Sequence, residues 1–119
     1  MDSRKMIRIN DEIKEQVASI VSLSVNDPRL SPLVTILRAD TTSDLKYCKI
    51  YISVMGSEED KKNSQIALKA ASGFIRKELA RKVKLRNTPE LTFVLDESLD
   101  HSIRITQILK EVIKEEDND

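Results

Sequence analysis

Between residues 47 and 54 the chain alternates without interruption, with Cys48, Ile50, Ile52 and Val54 on one side and Tyr47, Lys49, Tyr51 and Ser53 on the other. A period of two over eight residues specifies a strand with one face against a core and the other toward solvent. Such a strand needs a neighbour, and the economical one is the segment just before it. Leu33 to about Thr41 is rich in β-branched residues, and Ser43-Asp44 between the two segments is turn-prone. The faces of that first strand are ambiguous: Val34 and Ile36 would share one, Leu37 and Ala39 the other.

Helical periodicity flanks this hairpin. Met6, Ile9, Ile13, Val17, Ile20 and Val21 recur every three or four positions up to about Ser24, with Ser3 and Asn10 as alternative N-caps. Asn26-Asp27-Pro28 ends that helix, because Pro28 lacks an amide hydrogen and disfavours the helical conformation at Asp27. After Gly56, the acids Glu58, Glu59 and Asp60 open a second helical stretch that runs to about Val83. Its first half offers Ile66, Ala70 and Phe74 as an inward stripe, its second half Ile75, Leu79 and Val83. Gly73 falls between them, predicting either two helices meeting at a bend or a site of close packing. Thr88-Pro89 stops this element, and Leu91, Phe93 and Leu95 alternate as a third strand. From Ser98, the residues Ile105, Ile108, Leu109, Val112 and Ile113 give a last amphipathic helix.

The resulting order is helix, strand, strand, helix-bend-helix, strand, helix. A helical crossover makes the second and third strands parallel, while the hairpin makes the first and second antiparallel. The expected fold is therefore α+β: a three-stranded mixed sheet covered by helices on one face, in the order of a type II KH domain (α-β-β-α-kink-α-β) with an additional C-terminal helix. A chain of 119 residues suits one core. Residues 1–115 are expected to form a single KH-like domain, with 116–119 as a short acidic tail.

Several chemistries find no residues to carry them. Cys48 is the only cysteine and His101 the only histidine, so there is neither a disulfide nor a His/Cys cluster at metal spacing. His101 sits in the polar context Asp100-His101-Ser102, a poor setting for a catalytic base. Gly56 and Gly73 are the only glycines and build no phosphate loop. No catalytic residue, metal or cofactor is expected. No run approaches a membrane span, and the polar start Met1-Asp2-Ser3-Arg4-Lys5 lacks the apolar segment of a signal peptide, so a cytoplasmic protein is expected.

Charge is more informative. The chain carries 20 basic and 20 acidic side chains and is formally neutral. Yet between Lys69 and Arg86 there are seven bases, Lys69, Arg76, Lys77, Arg81, Lys82, Lys84 and Arg86, against the single acid Glu78. On a helical projection Ile75, Leu79 and Val83 span roughly 80°, and Lys77, Arg81 and Lys84 span roughly 60° on the opposite side. This is the electrostatic footprint that nucleic-acid phosphates would use; a solvated polar face is the alternative. Aromatic residues for base stacking are few. Phe74 and Phe93 fit core positions, and Tyr47 and Tyr51 share the polar face of the second strand, where cross-strand packing competes with a stacking platform. Recognition of RNA backbone and shape fits this composition better than base reading.

At the level of motifs, the chain resembles the ribosome-binding factor A family of bacterial small-subunit assembly factors. The resemblance is carried by Asp27-Pro28-Arg29, Val34-Thr35-Ile36, Ser43-Asp44-Leu45 and Lys49-Ile50-Tyr51-Ile52-Ser53. It continues in Ala71-Ser72-Gly73-Phe74-Ile75-Arg76 with Leu79-Ala80, and in Leu85-Arg86 with Pro89-Glu90-Leu91-Thr92-Phe93 and Asp96. It implies a KH-like fold in which an Ala-x-Gly kink, here Ala71-Ser72-Gly73, replaces the Gly-x-x-Gly loop that lets ordinary KH domains clamp a single strand. It also implies binding to the immature small (30S) subunit and its 16S rRNA. The implied role is late maturation and 5′-end precursor processing without cleavage, growth in the cold, an assembly GTPase as a further partner, and action as a monomer. A general KH-like RNA-binding module, and a protein-interaction domain using the basic helix, are the competing readings.

Overall fold

Ser3 opens the first helix: its hydroxyl accepts a hydrogen bond from the Met6 amide at 3.2 Å, which caps α1 (Arg4–Ser24). The computed structural model describes residues 3–98. After α1 come the strands β1 (Val34–Thr41) and β2 (Tyr47–Val54), the long helix α2 (Glu58–Lys82) and the strand β3 (Glu90–Leu95). The expected C-terminal helix, the tail at 116–119 and His101 lie outside the described residues.

Asn10, the other candidate cap, instead sits within α1 and accepts the Thr41 amide at 2.9 Å, tying the helix to the end of β1. Beyond α1, Asp27 accepts from the Arg29 amide and pairs with its guanidinium at 2.8 Å, and the Leu30 amide closes the turn on the Asp27 carbonyl.

The sheet order is β1-β2-β3; β2 runs antiparallel to β1 and parallel to β3, as the hairpin and the crossover require. Register explains the ambiguity in β1. Ile36 pairs with Ile52 and Arg38 with Tyr51, so Leu37 is an extra residue with no partner. This bulge reverses the alternation, and Ile36, Ala39 and Thr41 all turn to the buried side. In the hairpin, Leu45 adopts φ 61°, while Asp44 accepts the Thr42 hydroxyl at 2.7 Å and the Lys46 amide at 3.0 Å.

The core lies between the helices and one sheet face. Ile9, Ile13, Val17, Ile20 and Val21 of α1 pack with Ile36, Ala39, Cys48, Ile50, Ile52, Val54, Leu91 and Phe93 of the sheet and with Leu68, Ile75, Leu79 and Val83 at the α2 end. Burying each large aliphatic side chain contributes about 1.5–3 kcal/mol, which is why the alternation of β2 dominates the fold.

Two expectations about α2 need correction. The helix runs unbroken from Glu58 to Lys82, so Ala71-Ser72-Gly73 lies within one helix rather than between two. Ser64, Leu68, Ile75 and Leu79 keep within roughly a 60° arc across residue 73 on the helical projection, so a single face of one helix serves the whole core. Nor does Gly73 mark a close approach, since a β-carbon there would meet nothing within 4 Å. The second correction concerns the stripe Ile66-Ala70-Phe74. It lies roughly 150° from the inward face on the helical projection and is solvent-exposed, with Phe74 45% accessible. Both stripes satisfy helical periodicity; the buried one includes Ser64, whose hydroxyl accepts the Ser31 amide at 3.0 Å, and a polar residue concealed that face in the sequence.

Candidate nucleic-acid interface

α2, which carries several of the basic residues, is capped at both ends. Its N-terminus carries a capping box: the Ser57 hydroxyl accepts from the Asp60 amide and the Asp60 carboxylate accepts from the Ser57 amide. Acids fill its first turn and Arg81 and Lys82 its last, both favourable to the helix dipole.

The seven expected RNA-binding residues are all exposed, but they do different things. Lys77 and Arg81 point outward, opposite the face that carries Ile75 and Leu79. Arg81 stands 3.8 Å from Glu78, an exposed pair too weak to hold it from a phosphate. Lys84 shares their arc only on a projection that extends the helix; α2 ends at Lys82, and Val83 caps it in extended conformation. Lys84 therefore stands in the following loop, where it lines a shallow groove with Arg86 and Lys5 of α1. Lys5 has no signal in the sequence: it joins the cluster because Met6, Ile9 and Leu85 pack together beside it.

Arg76 is engaged elsewhere, donating from Nε and Nη2 to the Thr88 carbonyl at 3.1 and 2.8 Å. Lys69 lines a separate groove between α2 and β3 with Lys62, Ile66, Ser72 and Thr92. Lys82 is exposed in the last turn of the helix. The basic residues thus fall into separate sets, Lys77 and Arg81 on the outward side of α2 and Lys84, Arg86 and Lys5 around one groove, with Arg76 serving as a structural tie.

On the open sheet face, the Arg38 guanidinium lies over the Tyr51 ring at 3.9 Å from its centroid and pairs with Asp96 at 3.2 Å. Tyr51 is used across the β1–β2 ladder, while Tyr47 is 58% exposed. The Asp96 carboxyl is held below its usual range, first by the hydroxyl and amide of Ser98 and then by Arg38. Cys48 is buried and its thiol is pushed up by burial, so it stays protonated and unreactive near neutral pH. Among the described residues, no group of three or more His, Cys, Asp or Glu side chains is disposed to hold a metal ion. No helix among them is long and apolar enough to cross a membrane.

The family model for ribosome-binding factor A matches residues 5–109. The chain belongs to this family. Among its relatives, ribosome-binding factor A of Clostridium botulinum (strain Okra) is 46% identical over 112 residues, covering 94% of this chain and 93% of the relative. That of Acetivibrio thermocellus is 49% identical over 104 residues, 87% and 85% of the two chains. The solution structure of a Thermotoga maritima protein superposes with a TM-score of 0.71 at 27% identity, over 82% of this chain and 92% of that one. A homology model of Thermus thermophilus ribosome-binding factor A, fitted into a cryo-EM map of a complex of the 30S subunit with that factor, superposes with a TM-score of 0.61 at 25% identity over 74% and 91%. The family's KH-like fold is the α+β arrangement described above.

Proposed function

We propose that this protein binds the immature small ribosomal subunit through its 16S rRNA and supports late maturation and 5′-end precursor processing without cutting RNA itself. The observation that carries the reading is the concentration of exposed bases at and after the C-terminal half of α2, Lys77 and Arg81 on the helix and Lys84 and Arg86 beside Lys5 in the groove that follows, on a chain with no net charge. Family membership and the 30S complex of the Thermus thermophilus relative supply the identity of the target. Lysine and arginine on a convex helix make phosphate contacts, which orient a protein on folded RNA and give salt-dependent affinity without reading sequence. The continuous α2, with no Gly-x-x-Gly loop, offers no clamp for a single strand, so duplex backbone and RNA shape are the recognised features. Action as a monomer in the cytoplasm, with an assembly GTPase assisting release, completes the reading.

Fractionation of a lysate on a sucrose gradient tests it. The protein is expected with free small subunits, and depletion is expected to leave immature subunits with unprocessed RNA, more so in the cold. Distribution among other RNAs would favour a general RNA-binding module, and RNA-independent migration a protein-interaction domain.

A further inference from the structure

The two edges of the sheet differ. β1 forms one, and its bulge at Leu37 breaks the ladder that a further strand would follow. β3 forms the other, and its register with β2 runs without a shift from Glu90 to Leu95. The Glu90 amide donates to the Lys46 carbonyl at 2.9 Å and the Asp96 amide to the Ile52 carbonyl at 2.8 Å. In a parallel ladder alternate residues bond to the same neighbour, so Glu90, Thr92, Val94 and Asp96 turn their backbone groups toward β2, while Leu91, Phe93 and Leu95 turn theirs away. Among the described residues, no loop or turn backbone bonds to this second set. Leu91 and Phe93 are nonetheless only 6% and 8% exposed, a setting in which peptide groups require partners.

This edge opens on the groove between β3 and α2. Lys62, Ile66 and Lys69 form its α2 wall and share roughly a 60° arc; both lysines are exposed and Ile66 is 41% exposed. Along the helix Ile66 stands about 6 Å from Lys62 and about 4.5 Å from Lys69. In a strand, side chains on one face repeat at about 6.7 Å. A segment of the pattern acid-x-aliphatic-x-acid, paired with β3, therefore sets its aliphatic residue on Ile66 and one carboxylate by each ammonium. The mismatch of about 2 Å at Lys69 is within reach of its flexible stem. Because the pattern reads the same in both directions, it fits parallel and antiparallel pairing alike. A phosphate backbone suits the groove less: it donates nothing to the Leu91, Phe93 and Leu95 carbonyls, and it meets Glu90 on the lining.

We propose that the β3 edge takes an extended acid-x-aliphatic-x-acid peptide of a partner protein as a fourth strand. The edge supplies main-chain hydrogen bonds, and Lys62, Ile66 and Lys69 select the side chains. The site is separate from Lys77 and Arg81 and from the groove of Lys84, Arg86 and Lys5, and it does not depend on the RNA-binding reading.

The probe is the end-capped peptide Thr-Glu-Thr-Val-Thr-Glu-Thr, titrated into the full chain and followed by amide NMR. It is expected to shift the amides of Leu91, Phe93 and Leu95 and to slow their exchange with solvent. Lys62→Glu with Lys69→Glu, both exposed, should weaken binding on the order of tenfold. The peptide Thr-Lys-Thr-Val-Thr-Lys-Thr should in turn bind that variant better than the parent. Of two probe peptides N-methylated at alternate residues, one in each phase, one should lose binding and the other keep it. No shift up to millimolar peptide, or binding that survives both the charge reversal and N-methylation in either phase, would overturn the proposal. A short single-stranded RNA that shifts these amides where the peptide does not would reassign the edge to RNA. Shifts that grow with protein concentration alone, together with a dimer mass, would reassign it to a second copy.

Discussion

The Arg76 guanidinium grips the Thr88 carbonyl with two nitrogens, at 3.1 and 2.8 Å, and so joins the middle of α2 to the turn that delivers β3. A cation in the most basic stretch of the chain is therefore a fold element. Arg76→Gln loses the forked contact, and a hydrogen bond to a charged donor contributes about 1.5–3 kcal/mol when shielded and less when exposed. We expect a loss of about 1 kcal/mol, lowering the unfolding temperature by about 4–8 °C. RNA affinity should fall by no more than one peripheral charge explains. Thermal unfolding together with RNA titration separates the two effects.

Gly73 lies in helical backbone, and a methyl group placed on its α-carbon would meet nothing within 4 Å. Gly73→Ala should therefore stabilise the domain by about 0.5–1 kcal/mol, the difference in helix propensity. RNA binding should stay at the parent level. A loss of stability in chemical denaturation would show that the helix does bend at this residue.

How far the fold was legible depended on whether one-dimensional periodicity had a single solution. β2 and β3 alternate, α1 has one apolar stripe, and the crossover dictated their directions; these elements were all readable. β1 was ambiguous because Leu37 is a bulge, which strand alternation cannot encode. α2 had two stripes in its first half, and Ile66-Ala70-Phe74 reads as the inward one because Lys61 and Ser64 interrupt the face that is in fact buried. In the basic group, exposure was readable but partnership was not: neither the Arg76 contact with Thr88 nor the company of Lys5 with Lys84 and Arg86 leaves a trace in local sequence.

Acid should loosen the loops before it disturbs the core. Asp44 is held below its ordinary value of 3.8, first by the Thr42 hydroxyl and then by the Lys46 amide. Asp27 is held down by Arg29. A carboxyl with a depressed folded-state pKa contributes stability above its unfolded value, and that contribution is lost as pH falls through the folded value. The window therefore lies below about pH 4. Asp44→Asn should be less stable than the parent near pH 7, with the gap narrowing at about pH 3. Thermal unfolding across that range checks it, and a gap independent of pH would exclude the carboxylate as its source.

The sharpest test of the interface is charge reversal at Lys77, Arg81 and Lys84, all exposed and outside the core. None of the three supports packing, so Lys77→Glu, Arg81→Glu and Lys84→Glu together should leave the domain folded. Each phosphate neutralised contributes about 0.7–0.9 to the slope of log affinity against log salt, so the triple variant should lose about 2–3 units of slope along with most of its affinity at low salt. The matching reversal at Lys62 and Lys69, which line the groove beside β3, should cost much less. Binding isotherms on small-subunit rRNA at several salt concentrations measure both quantities. An unchanged slope in the folded triple variant would move the interface off this end of α2, whereas losses in proportion to the charge changed, six units against four, would mean that net charge rather than the position of these bases governs binding.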